Sequence, residues 1–205
     1  MREAVSIPKS SDILDHIYAL PLSEQDAAME KIRAIEREAM TSQTAQPGLV
    51  ELMTYLESKS IPKGICTRNF ETPVAHLLDK FLDGLHFHPI ITRDFRPPKP
   101  DPAGILHIAK SWGLSDASQL IMVGDSLDDM TAGYRAGAAT VLLVNDVNAR
   151  LANHEHTDLC IYRLDDLIKI LEEGFEGQID RGEENGDTRA RAEEVLMKGK
   201  QGLHK

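Results

Sequence analysis

Only two cysteines, Cys66 and Cys160, occur in 205 residues. They are too few for a disulfide framework, so a reducing interior is expected. No stretch approaches the roughly 18 uninterrupted apolar residues that cross a bilayer. Asp12, Asp15 and His16 interrupt the apolar positions of the first twenty residues, which argues against a signal-peptide hydrophobic region. Basic residues are in deficit, 23 against 33 acidic ones, for a formal charge of -10. That balance repels polyphosphate backbones and excludes a general nucleic-acid binder. A small anionic substrate stays possible if a metal and a few local cations hold it. What is present, 41% hydrophobic and 27% charged residues, fits an ordinary globular core. The expectation is a soluble, cytoplasmic α/β protein that does not engage membranes, with one sizeable domain and a small companion.

Three regions follow from the patterning. Residues 1–46 hold two helical segments, the second with Ser23 as expected N-cap, Asp26 three residues on, and a buried face of Ala28, Ile32, Ile35 and Ala39. Residues 41–47 are polar and end in Pro47, which marks a boundary. Residues 47–172 alternate helices with short apolar runs at 64–67, 89–92, 120–123, 139–144 and 158–161, with a weaker helix near 147–153. Alternation of this kind predicts a Rossmann-like, doubly wound parallel sheet with helices on both faces. Residues 173–205 are rich in Gly, Glu and Arg, and are expected to form a disordered tail or a loosely held helix.

Ligands of open α/β sheets collect at the carboxyl ends of the strands. Three polar groups fall at such ends here. Thr67, with Arg68 and Asn69, follows one strand and precedes a helix, a place where hydroxyl and backbone N–H groups bind phosphoryl oxygens. Lys99 lies in a loop bracketed by Pro97, Pro98, Pro100 and Pro102, as a positioned charge for phosphate or carboxylate. Asp125, with Asp128 and Asp129 behind it, ends the run 120–123 and suits a hard cation such as Mg2+. Each also has a bland explanation: a turn threonine, a solvated lysine, and a Gly-Asp-Ser turn with an N-cap. Their order along an alternating pattern favours the shared phosphate site.

Residues 64–69 (Gly-Ile-Cys-Thr-Arg-Asn), 99–102 (Lys-Pro-Asp-Pro) and 124–137 (Gly-Asp-Ser-Leu-Asp-Asp-Met-Thr-Ala-Gly-Tyr-Arg-Ala-Gly) resemble three of the four motifs of the haloacid dehalogenase superfamily. The likeness is to its phosphoglycolate-phosphatase-like branch and covers about residues 10–171. It implies an α/β core with a small helical cap over 1–46, and a Mg2+-dependent phosphatase of a small phosphorylated metabolite. By resemblance Thr67 binds phosphate, with Arg68 and Asn69 beside it. Lys99 stabilises the nucleophile and the phosphoryl charge. Asp125 is a Mg2+ ligand, and Asp129 supports the metal shell or the lysine.

The remaining motif, an apolar strand ending in Asp-x-Asp-Gly-Thr that carries the nucleophile, does not occur in the 205 residues. Without it no aspartyl-phosphate forms on this polypeptide. The resemblance implies that this strand belongs between those ending at Thr67 and Asp125, so marginal stability is expected without it. The alternative reading is a catalytically inactive phosphate-binding or regulatory protein.

Other readings fare worse. A response-regulator receiver places its acids first and its lysine last, against the order Thr67, Lys99, Asp125. A cysteine phosphatase needs an arginine six residues after its nucleophile, where Cys66 has Thr72. The pairs His86/His88 and His154/His156 lack further metal ligands nearby and are expected in loops. Arg93, Asp94 and Arg96 either line the mouth of the pocket or are surface charges, and surface charge is the favoured expectation.

Overall fold

The structure is a computed structural model and describes residues 13–174, without the side chains of Leu14, Asp15 and Glu36. The expected tail beyond 174 and Asp12 lie outside the described residues. Two helices come first, α1 (Ile13–Ala19) and α2 (Leu22–Ser42). Pro21, with φ -53° and ψ 141°, separates them and is itself the N-cap of α2; its carbonyl accepts from Glu24 N and Gln25 N. Ser23 therefore sits inside the first turn and caps nothing, because the proline fixes the break two residues earlier. Ile17, Ala28 and Ile32 are buried against one another, with Phe70 of the following unit packed on them. The expected apolar stripe of α2 is buried only in its first half, since Ala39 is exposed.

The α/β part runs α3 (Leu49–Ser58), β1 (Ile65–Cys66), α4 (Glu71–Phe81), β2 (Ile90–Ile91), α5 (Ala103–Ser111), β3 (Ile121–Gly124), α6 (Leu127–Ala136), β4 (Ala139–Leu143), β5 (Leu159–Ile161) and α7 (Asp166–Glu173). The weak helix expected near 147–153 is a 3-10 helix over Ala149–Asn153. All strand pairs are parallel, but they form two sheets rather than one: β1-β2, and β3-β4-β5. Among the described residues no ladder joins β1 to β3.

Helix α6 shows how local sequence sets the frame of the site. Ser126 Oγ accepts from Asp129 N while Asp129 Oδ2 accepts from Ser126 N, a reciprocal capping box that fixes the helix start against the end of β3. Gly133 lets the helix lie close on the sheet, since a Cβ there would stand 2.8 Å from both Met122 Cβ and Thr140 Cγ2. Gly137, at φ 83°, ends the helix in the left-handed conformation that suits glycine. The core divides accordingly. Ile105, Ile108 and Ala109 of α5 pack with Leu120 and Ala132, whereas Leu52 of α3 packs with Val141, Ile161, Leu167 and Leu171 on the other face. No described helix is long and apolar enough to cross a membrane.

Candidate active site

Thr67 follows the last residue of β1, and its backbone N donates to Ile91 O at 2.9 Å. Its hydroxyl accepts from Asn69 N at 3.1 Å, so the turn that the bland explanation foresaw does form. This turn brings the chain round so that Arg68 reaches α6. Arg68 Nη1 donates to Asp128 Oδ2 at 2.5 Å across 60 residues of sequence. Lys99 makes the second bridge between the same parts: its Nζ donates to Cys66 O and to Asp129 Oδ1, both at 2.5 Å. The Lys99 and Asp129 side chains are only 8% and 10% exposed, so the pair is shielded from solvent.

Asp129 is saturated. Beyond Lys99 on Oδ1, its Oδ2 accepts from Asp125 N, Ser126 N and Ser126 Oγ at 3.2, 3.1 and 2.7 Å. The neighbouring Asp125 is different: its residue is exposed, and its carboxylate makes no hydrogen bond or ion pair with another described residue. Its backbone is held instead, with its N on Asp129 and its carbonyl accepting from Asn148 Nδ2 at 2.8 Å. Asn148 is buried and also donates to Leu143 O at 2.9 Å while its Oδ1 accepts from Asn145 N at 2.7 Å. It thereby locks the loop after β4 to the Gly124-Asp125 turn. Sequence reasoning did not single out Asn148; its one signal is its place beyond the carboxyl end of a strand on the side where the site lies.

A small cavity of about 10 Å³, enough for one water, is lined by Thr67, Arg68, Arg93, Phe95 and Lys99 among others. Arg93 follows the less favoured of its two expected readings, since it lines this cavity. It is 7% exposed rather than a surface charge, because its Nε donates to Arg68 O at 2.8 Å and its guanidinium lies 3.8 Å from the Phe70 ring centroid. Arg33 of α2 stands over the same ring at 4.9 Å, and Arg96, exposed as expected, stands 4.2 Å over Tyr18 of α1. These cation–π contacts fasten the two N-terminal helices to the loops bearing Thr67 and Lys99. Asp94 is exposed. His86 and His88 are exposed and stacked at 6.4 Å, while His154 and His156 sit half-buried near Tyr134.

Thr67, Arg68 and Asn69 follow β1 and Asp125 and Asp129 follow β3, and the bonds Arg68–Asp128 and Lys99–Asp129 join these two chain segments through the Lys99 loop. Among the described residues no group of three or more His, Cys, Asp or Glu forms a metal cage. The donor set nonetheless fits Mg2+, which takes one or two carboxylates and fills its shell with water and substrate oxygens. Asp125 offers the uncommitted carboxylate for it, whereas both oxygens of Asp129 already have partners.

A family model for haloacid dehalogenase-like hydrolases matches residues 3–137. An uncharacterized hydrolase of Saccharomyces cerevisiae is 43% identical over 176 residues, covering 84% of this chain and 80% of the relative. A phosphoglycolate phosphatase of Pseudomonas savastanoi pv. phaseolicola is 35% identical over 126 residues, covering 61% of this chain and 45% of the relative. Among solved structures, a family IA, variant 3 hydrolase of this superfamily from Entamoeba histolytica aligns with a TM-score of 0.66 at 22% identity, covering 80% of this chain and 78% of that one. The chain therefore belongs to the haloacid dehalogenase-like hydrolases. It spans 80% of the yeast relative but under half of the Pseudomonas enzyme.

Proposed function

We propose that the chain carries the substrate-binding and metal-binding part of a Mg2+-dependent phosphatase acting on a small phosphate monoester. The observation that carries this reading is the double bridge Arg68–Asp128 and Lys99–Asp129, which holds the Thr67 loop, the Lys99 loop and the start of α6 around one point. Thr67, Arg68 and Asn69 bind the phosphoryl oxygens. Lys99 supplies a fixed positive charge beside them, and Asp129 works mainly through Lys99 by holding its ammonium. Mg2+ supplies charge neutralisation of the phosphoryl group, and Asp125 holds it, with Asn148 fixing the Asp125 backbone. No Asp-x-Asp-Gly-Thr segment occurs in the 205 residues, so the nucleophile is proposed to come from outside them. The domain reading that goes with this is a helical cap over 1–46 on a core over 47–172, and the names of the Pseudomonas relatives favour a small phosphorylated metabolite as substrate.

The second reading is a catalytically inactive phosphate-binding or regulatory protein, for which the bridged Thr67 and Lys99 loops serve binding alone. The two separate in a Mg2+-dependent assay with p-nitrophenyl phosphate, run on this chain beside a longer version that carries an Asp-x-Asp-Gly-Thr strand upstream. Turnover by the longer version, abolished by Asp125→Ala, supports the phosphatase. Phosphate binding without turnover in either version supports the inactive reading.

A further inference from the structure

One buried cation beside the site has no part in the phosphatase reading. Arg93 lies two residues beyond β2 and is 7% exposed. Burying a guanidinium is costly unless its donors are used. Arg93 directs them to the turn after Thr67. Its Nε donates to Arg68 O at 2.8 Å and its backbone N to Asn69 O at 3.0 Å, so one residue holds two successive carbonyls of that turn. The guanidinium carbon stands 3.8 Å from the ring centroid of Phe70, the next residue along, which fixes the far end of the side chain.

These two carbonyls set the directions of the amides that follow them. A trans peptide is planar, with its C=O and N–H pointing opposite ways. With Arg68 O on Arg93 Nε, the Asn69 N–H points away from Arg93, and there it meets Thr67 Oγ1 at 3.1 Å. With Asn69 O on the Arg93 backbone N, the Phe70 N–H is turned away from Arg93 as well. A hydroxyl that accepts from an amide keeps its own hydrogen for another acceptor. The Thr67 O–H is thereby left to donate outward, and Arg93 stands behind the turn that orients it. Direct contact between Arg93 and an anion is not open here. The cavity that Arg93 shares with Thr67, Arg68 and Lys99 has a volume of about 10 Å³, room for one water and not for a phosphate group.

We infer that Arg93 is a positioning residue for anion binding: it holds the Arg68 and Asn69 carbonyls so that the Asn69 amide fixes the Thr67 hydroxyl as a donor. That the anion is a phosphoryl group rests on the phosphatase reading; the shape of the turn does not. Arg33 of α2 supplies the control. It stands over the same Phe70 ring at 4.9 Å, but its side chain is 51% exposed and its ion pair is with Glu30, on its own helix. Arg33 therefore separates the attachment of the N-terminal helices from the holding of the turn.

The test compares three variants of the full chain. Arg93→Met ends in a methyl group where arginine carries Nε. Arg93→Gln also lacks the charge, but keeps an N–H donor on the atom bonded to Cδ. Arg33→Gln weakens only the ring contact from α2. Calorimetry follows the binding of inorganic phosphate in Mg2+, and NMR follows hydrogen exchange at the Asn69 amide without phosphate. Arg93→Met is expected to weaken phosphate binding and to speed Asn69 exchange, each by about tenfold, as loss of a charge-assisted hydrogen bond requires. Arg93→Gln is expected to recover both to within about threefold of the unaltered chain, and Arg33→Gln to stay within about twofold. Equal losses in Arg93→Gln and Arg93→Met overturn the inference, because the charge then acts without the turn. So does a loss in Arg33→Gln as large as in Arg93→Met, which assigns the effect to the attachment of the helices. If none of the proteins binds phosphate while Asn69 exchange follows the expected order, the holding of the turn stands and the phosphatase reading falls. Phosphate bound alike by all four proteins does the reverse.

Discussion

Removing the charge of Asp129 while keeping its shape tests how the two halves of the site are held. In Asp129→Asn the buried Lys99 ammonium keeps only the Cys66 carbonyl and an amide as neighbours. Both side chains are at most a tenth exposed, so solvent does little to rescue the orphaned charge. Breaking a buried pair from one side costs about 3–5 kcal/mol. Lys99→Met is gentler, about 1–3 kcal/mol, because Asp129 keeps three donors at the start of α6. The double variant removes both charges and is expected to cost about 2 kcal/mol less than the two single costs added. Urea titrations of the four proteins, followed by far-ultraviolet circular dichroism, give these differences from the midpoints at common slope. Costs that add within about 0.5 kcal/mol, or an Asp129→Asn cost below about 1 kcal/mol, refute the bridge as a coupled element.

Two further predictions concern the same neighbourhood. In Gly124→Ala the new methyl group falls 2.4 Å from Asp129 Cβ and 2.6 Å from its Oδ2, so Asp129 is displaced from Lys99; the expected loss is about 1–3 kcal/mol or more in the same titration, and an unchanged midpoint contradicts it. Burial raises the Cys66 thiol above its ordinary 9.0, with Lys99 opposing the shift and Asp129 adding to it. The neutral thiol is thus the folded form: its contribution to stability is complete below pH 9.0, where the unfolded thiol is also neutral, and is lost as pH rises through the raised folded value. Alkylation by iodoacetamide at pH 8 is expected to be slower at Cys66 than at a free thiol, and equal rates contradict the burial.

Much of this was legible in the residues, for physical reasons. Short apolar runs alternating with helical segments identified the five strands of the described residues, with Gly64, Gly124 and Gly137 marking three of them, because covered parallel strands leave little room for polar side chains. The Gly-Asp-Ser turn with an N-cap, offered as the bland explanation, is the observed start of α6, since a capping box is local chemistry. Other features depended on distant partners. Ser23 fails as a cap because Pro21 acts first, and the sequence favours surface charge over the pocket mouth for Arg93 because nothing in its neighbours shows that Phe70 lies beneath it. Asn148 is one polar residue in a polar loop, and only the approach of Asp125 O gives it a task. The distinction between Asp125 and Asp129 likewise comes from counting hydrogen bonds in space, since the two are equivalent as letters.

The central claim is that Thr67, Lys99 and Asp125 serve one anion-and-magnesium pocket. Its most direct test is a titration of inorganic phosphate into the full chain with and without Mg2+, followed by phosphorus NMR or calorimetry. Mg2+ is expected to tighten phosphate binding by roughly tenfold, with the coupling lost in Asp125→Ala. Phosphate affinity that ignores Mg2+, or coupling that survives Asp125→Ala, contradicts the account.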